Sequence, residues 1–260
     1  MRAVRVTGPD GPWQPVRSAL RARGAVLVHS PAEGWETGAA ELERLLGRDG
    51  ARHRALAGHA VRQRRFAVSR LLLKHAAATA LDVRPADLEL ARTPGGRPYL
   101  RGWGDIEVSL SHTRGLVAVA LNLRGAVGTD AEPATRAVHG TGLELRACTP
   151  HERAALDRLP AHRRDLALLR LWTLKESYTK ALGTGLRLSF ASFGFALPPD
   201  GGPPLLLRAD GAPAPQDEWR FTSRVLPSGH VVATAAGQPT SRLVSSSGSS
   251  RSSEFDNTAW

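Results

Sequence analysis

Residues 171–186 read LWTLKESYTKALGTGL, and they stand apart from the chain around them. Of the 35 Lys and Arg residues only three are lysine, Lys74, Lys175 and Lys180, and two of these lie on either side of Glu176. At 100° per residue Trp172, Glu176 and Lys180 drift by about 40° at each step of four, so an aromatic ring, a carboxylate and a cation share an arc of about 80° on one helix face. Alone, such a Glu-to-Lys pair is an ordinary surface contact worth about 0.2–0.5 kcal/mol. Its meaning depends on what surrounds it.

The helix carrying these residues is predicted from about Arg163 to Leu182, with Gly183 placed to end it in a left-handed conformation. Before it, Thr149-Pro150-His151-Glu152 reads as a capping box with proline at the first helical position, and Pro160 interrupts the helix that starts there. After it, FASFGFAL, EWRFTSRVL and HVVATAAG read as closing strands. The first half has a similar plan. A basic stretch, ARHRALAGHAVRQRRFAVSRLLLKHAAATALDV, places Phe66, Ser69, Leu72, Leu73 and Ala76 at helical spacing through about Leu81. ARTPGGRPYL is a turn, IEVSLSHTRGLVAVALNL a hairpin and GAVGTDAEP a short strand. Residues 1–35 read as a loop-rich lead-in with AVLVHS as the first strand. The expected class is α+β, with two similar subdomains, although no residue-level repeat ties them together.

Composition narrows the function classes. The 260 residues, 42% of them hydrophobic, suffice for a full core. No apolar run is long enough to span a membrane and the N-terminus lacks a signal-peptide pattern, so a soluble, cytoplasmic protein is expected. The single cysteine, Cys148, excludes an internal disulfide and a cysteine-rich zinc site. A net charge of +11 favours a polyanionic partner: nucleic acid, anionic membrane, or an acidic protein or nucleotide-like substrate. The Ser-rich tail, residues 238–260, is expected to be disordered and in part vector-derived.

Several short stretches carry chemistry. In an extended strand Asp130 and Glu132 point to one side, two oxygen donors for one hard cation, and Glu176 supplies a third from the helix. Open positions left for phosphate and water make this a set suited to Mg²⁺ on a substrate pyrophosphate. At the hairpin, His112 can donate to a phosphate with the Ser111 hydroxyl assisting. Gly95-Gly96-Arg97-Pro98 is either a plain turn or a rigid mount for a guanidinium facing a nucleotide.

Taken in order, these stretches resemble the phosphopantetheinyl transferases of the Sfp type, the tandem, broad-specificity form. The matching residues are RRFAVSRLLLK, Gly96-Arg97-Pro98, Ser109-Leu110-Ser111-His112, Gly128-Thr129-Asp130-Ala131-Glu132, and Trp172 through Lys180, spanning roughly residues 60–195. Thr129 and Ala131 stand where the family favours larger β-branched residues, and Arg97 where lysine is common. The resemblance implies two α+β subdomains related by a pseudo-two-fold, residues 1–124 and 125–237, with the active site in the cleft between them. It implies Asp130, Glu132 and Glu176 as ligands of Mg²⁺, or of Mn²⁺, on the pyrophosphate of coenzyme A. Glu176 would also serve as base and Lys180 would neutralise the pyrophosphate. Arg65, Gly96, Arg97, Pro98, Ser111 and His112 would hold the adenosine bisphosphate end. Lys175, about 100° round the helix from Glu176, is left a lesser part in carrier or phosphate docking.

The implied partner is an apo acyl or peptidyl carrier protein with an acidic helix, met by a monomer whose basic surface speeds encounter. No nucleic acid or membrane is expected as a partner. The alternatives are a Mg²⁺-dependent nuclease or phosphoesterase built on the same three carboxylates, and a basic nucleic-acid-binding module. Two tyrosines, six phenylalanines and no paired stacking motif leave the binding module little to stand on.

Overall fold

The computed structural model describes residues 1–238, so the expectation for the tail falls almost wholly outside the described residues. The chain begins with β1 (Arg2–Arg5), α1 (Gln14–Arg23) and β2 (Ala25–Ser30), a right-sized crossover between two parallel strands in which Arg2 lies opposite Val26. AVLVHS is therefore the second strand and not the first, and the lead-in is structured. The helix puts Val16, Ala19 and Leu20 on its buried face, has proline in its first turn, and stops at Gly24, whose φ of 69° suits glycine. Its signals are weak in sequence because β1 has only four residues, two of them arginine, and no side chain caps α1.

Three helices follow: α2 (Ala39–Leu46), α3 (Gly50–Arg54) and the long α4 (Ala60–Leu81), which ends at the residue predicted for it. ARTPGGRPYL is more than a turn. It folds as a hairpin of β3 (Leu90–Arg92) and β4 (Pro98–Leu100), turning at Gly96 with φ 85°. The predicted hairpin is β5 (Glu107–Thr113) and β6 (Leu116–Asn122), and the first sheet runs β1-β2-β6-β5. Helix α4 covers one side of that sheet: Val68, Leu71, Leu72 and Ala76 pack with Val26, Val28, Val108 and Val119 in one core.

The second half starts with β7 (Val127–Pro133), then α5 (Leu143–Ala147), α6 (Pro150–Asp157) and α7 (Ala161–Leu182). The capping box is present: Thr149 Oγ1 accepts from Glu152 N–H at 3.2 Å, and Glu152 Oε2 accepts from Thr149 N–H at 2.8 Å. The strand β8 (Phe193–Ala196) pairs with β9 (Leu205–Arg208), a further strand beyond those expected, and β10 (Trp219–Val225) pairs with β11 (His230–Gly237). The second sheet is antiparallel throughout, in the order β10-β11-β7. Leu168, Leu171 and Leu174 of α7 meet Phe221, Val231 and Ala233 in a second core, and Leu27, Leu116 and Ala118 meet Ala131, Leu226 and Val232 in a third that joins the two sheets. The mixed α+β class is as expected. In each half a 22-residue helix is followed by a short hairpin and then a longer one.

Helix α7 is fixed in place by Lys175, which corrects the expectation of a docking role. Its side chain is fully buried, and Nζ donates to Glu152 Oε2 at 2.6 Å, to Phe190 O at 2.6 Å and to Phe193 O at 2.8 Å. All three ammonium protons are used, and α6, the 190–193 turn and α7 are tied at one point. Burial pushes the Lys175 ammonium below its ordinary range while Glu152 opposes the shift. Lys175→Met leaves the buried Glu152 carboxylate without a cation. We expect a loss of about 3–5 kcal/mol in urea unfolding.

Candidate active site

The site begins with a missing side chain. At Gly128 a Cβ would lie 1.8 Å from Ser177 O and 2.7 Å from Ala181 N, so the backbone of β7 touches the backbone of α7. Only glycine permits this approach. Residues two and four places along the strand share the side of Gly128, and Asp130 thereby meets the last two turns of α7. Lys180 Nζ donates to Asp130 Oδ1 at 2.6 Å and to Thr129 O at 3.2 Å. The same Asp130 oxygen accepts from Ser111 Oγ at 2.9 Å.

The other two acids sit close by in electrostatic terms. Burial pushes the Glu176 carboxyl above its ordinary value, Asp130 and Glu132 add to the rise, and Lys180 opposes it. Glu132 is likewise raised, by burial first, against the pull of Arg136, whose Nη1 donates to Oε1 at 2.7 Å. The side chains are not drawn together about a point: among the described residues no group of three or more His, Cys, Asp or Glu is arranged as a metal cage. The donor chemistry nonetheless fits a hard divalent cation. All the donors are carboxylate oxygens, and their mutual repulsion is what such an ion relieves.

A cavity of about 490 Å³ opens beside Asp130. Arg52, Arg70, Arg92, Arg97, Lys180 and His112 stand on its wall, and Asp130 is the sole acid there. Gly96, Pro98 and Ser111 also line it. Arg65 does not; it lies near enough to His112 for its charge, after burial, to help push the imidazole below its ordinary value. Trp172 leaves the Glu176–Lys180 row and packs edge-on against Phe190 at 5.4 Å. The Ser111 hydroxyl, expected to assist at a phosphate, is occupied by Asp130.

Arg52, Arg70 and Arg92 were missed in the sequence. Arg70 is 3% exposed, with Nε on Asp49 Oδ2 at 3.1 Å, Nη1 on Ser69 Oγ at 2.8 Å, and its guanidinium 3.9 Å above the Phe66 ring. Burial lowers it to about 10, so it stays charged at neutral pH. An arginine on the apolar face of α4, four residues after Phe66, was the available signal. Arg97 is held by Glu107 Oε2 at 2.5 Å.

Residues 126–235 match the 4'-phosphopantetheinyl transferase superfamily. The chain is 29% identical over 126 residues to a putative 4'-phosphopantetheinyl transferase of Synechocystis, covering 48% of this chain and 51% of that protein. It is 30% identical over 130 residues to the 4'-phosphopantetheinyl transferase HetI of Nostoc, covering 48% and 54%. With the 4'-phosphopantetheinyl transferase of Bacillus subtilis it shares 28% over 138 residues, covering 53% and 60%. The chain thus spans between half and two thirds of the length of these relatives. The matched domain holds β7 and α7 and therefore Asp130, Glu132, Glu176 and Lys180.

Two expectations follow from this geometry. Gly128→Ala forces α7 off β7 and should cost about 3 kcal/mol, the upper end for an overpacked site, in urea unfolding. Glu176→Gln should raise the melting temperature at pH 7, because the raised carboxyl destabilises the fold when ionised. That cost is absent below the ordinary glutamate range, where Glu176 is protonated in both states, and sets in as pH rises. Melts from pH 4 to pH 8 check the sign: the gain of the variant should vanish at the acid end.

Proposed function

We propose that the protein is a tandem, Sfp-type 4'-phosphopantetheinyl transferase, moving phosphopantetheine from coenzyme A to a serine of an apo acyl or peptidyl carrier protein and releasing adenosine 3',5'-bisphosphate. The observation that carries this reading is the cavity: cations on every side, and one carboxylate held by Lys180. A wall of that charge suits a ligand with several phosphates, and coenzyme A has a pyrophosphate and a 3'-phosphate. His112, Arg97 and the buried Arg70 hold the adenosine bisphosphate end, with Gly96 and Pro98 letting the turn come close. Arg65 contributes charge from beside His112.

Asp130, Glu132 and Glu176 would hold Mg²⁺, or Mn²⁺ in its place, which would supply positive charge to the pyrophosphate. Lys180 adds an ammonium next to the same oxygens. Glu176, with its carboxyl raised by burial and by its neighbours, is suited to take the proton of the carrier serine as that oxygen attacks the β-phosphate. The subdomains are taken as 1–124 and 125–237, related by a pseudo-two-fold, so that one chain forms the cleft and acts as a monomer in the cytoplasm. No described helix is long and apolar enough to cross a membrane. The excess of basic residues favours a carrier with an acidic helix, and the reading assigns no part to nucleic acid.

Intact-mass spectrometry of an apo carrier incubated with the protein, coenzyme A and Mg²⁺ tests the reading, and one added phosphopantetheine is the expected result. Alanine at Asp130, Glu132 or Glu176 should lower the rate by about 100-fold or more. Lys180→Ala should cost about 3–4 kcal/mol of transition-state stabilisation, and Lys180→Arg should also lose activity, because a planar fork does not replace a compact ammonium. His112→Ala should weaken coenzyme A more than dephospho-coenzyme A. Absence of the mass addition on fatty-acid, polyketide and peptide carriers alike would overturn the assignment.

A further inference from the structure

The two sheets meet without a backbone ladder. Strand β5 is the edge of the first sheet and β7 the edge of the second, and they lie side by side. What joins them is a pair of serines. Ser109 Oγ accepts the Thr129 N–H at 3.0 Å, and Ser111 Oγ accepts the Ala131 N–H at 3.3 Å while donating to Asp130 Oδ1 at 2.9 Å. Both serines are buried, 4% and 7% exposed, and they alternate along β5 with Val108 and Leu110, which face the first core. An apolar residue at either place would leave a buried N–H without a partner, at a cost of the kind that proteins rarely accept.

The consequences of the two hydroxyls differ. Ser109 touches only backbone on β7. Ser111 touches the carboxylate as well, and with Lys180 it commits Oδ1, while among the described residues no group donates to Oδ2. We propose that Ser111 is a positioning residue by which the first half of the chain sets the orientation of Asp130, and with it the affinity of the second half for a divalent cation. The inference rests on the reading of Asp130 as a metal ligand. Hydrogen bonds that orient ligating groups typically change metal affinity by about 10- to 100-fold when removed.

The test uses Mn²⁺ alone, with the full chain and no carrier or coenzyme A, and reads free Mn²⁺ by electron paramagnetic resonance alongside thermal melting. The variants are Ser111→Ala, Ser111→Thr, Ser109→Ala and Asp130→Ala. Ser111→Ala should weaken Mn²⁺ by about 10-fold, and Ser111→Thr, which keeps the hydroxyl, should restore most of it. Ser109→Ala should lower the melting temperature with Mn²⁺ affinity unchanged. Should Ser111→Ala fail to fold, Ser111→Cys, with similar volume and a weaker donor, must show the same loss. If Asp130→Ala abolishes binding and the Ser111 variants bind as wild type, the positioning role is wrong and the metal reading stands. If Asp130→Ala binds as wild type, both are wrong.

Discussion

At Gly128 a strand and a helix touch backbone to backbone, and the site exists because of that contact. Any Cβ there would push α7 outward and carry Glu176 and Lys180 away from Asp130. The distance that matters, 2.6 Å between Lys180 Nζ and Asp130 Oδ1, is short because both backbones are already close. The glycine at the head of the Gly128–Glu132 motif thus sets the Asp130–Lys180 contact, although it has no functional group. Tyr178, on the far side of the same helix, meets Phe193, Trp219 and Phe221 at ring distances of 5.0–5.5 Å and holds α7 down from the opposite face.

The two lysines of α7 show how one residue type serves two ends. Lys175 points into the core, where burial removes water and three oxygens replace it. Lys180 points to the cavity, is 31% exposed along its side chain, and keeps one carboxylate and one carbonyl as partners. Arginine fits neither place well. Its planar fork cannot meet three oxygens arranged around a point, and it is too long for a carboxylate this close to the helix. In a chain that otherwise uses arginine, both lysines are therefore explained by shape, although only one lies at the site.

Much of this was legible in the sequence because it is local. Periodicity gave α7 to within two residues and the end of α4, alternation gave the β5–β6 hairpin, and Thr149 to Glu152 gave the start of α6. The pairing of Asp130 with Lys180, fifty residues apart, became readable only through motif order. What stayed hidden depends on contacts between distant segments. Nothing near Lys175 in sequence reveals Glu152, 23 residues away, and nothing near Ser109 or Ser111 reveals that an unpaired edge of β7 waits twenty residues on. Arg70 stayed hidden for the same reason: an arginine among apolar helix positions has no evident partner in sequence until Asp49 and Phe66 are seen to hold it.

Two of the cavity's arginines are braced by acids. Asp49 holds Arg70 and Glu107 holds Arg97, each acid belonging to the same half of the chain as its arginine. Taking a guanidinium out of water costs several kcal/mol, and a carboxylate partner offsets part of that on folding. A ligand phosphate arriving later meets a charge already desolvated and already oriented, so little of its binding energy goes into ordering side chains. Glu176 and Glu132 are placed differently: neither lines the cavity, burial raises both, Asp130 adds to each rise, and Arg136 holds Glu132. The cavity wall thus carries its positive charge already in place, while beside it three carboxylates share Lys180 and Arg136. On the proposed function, a phosphate ligand that brings a divalent ion with it would answer both charge patterns at once.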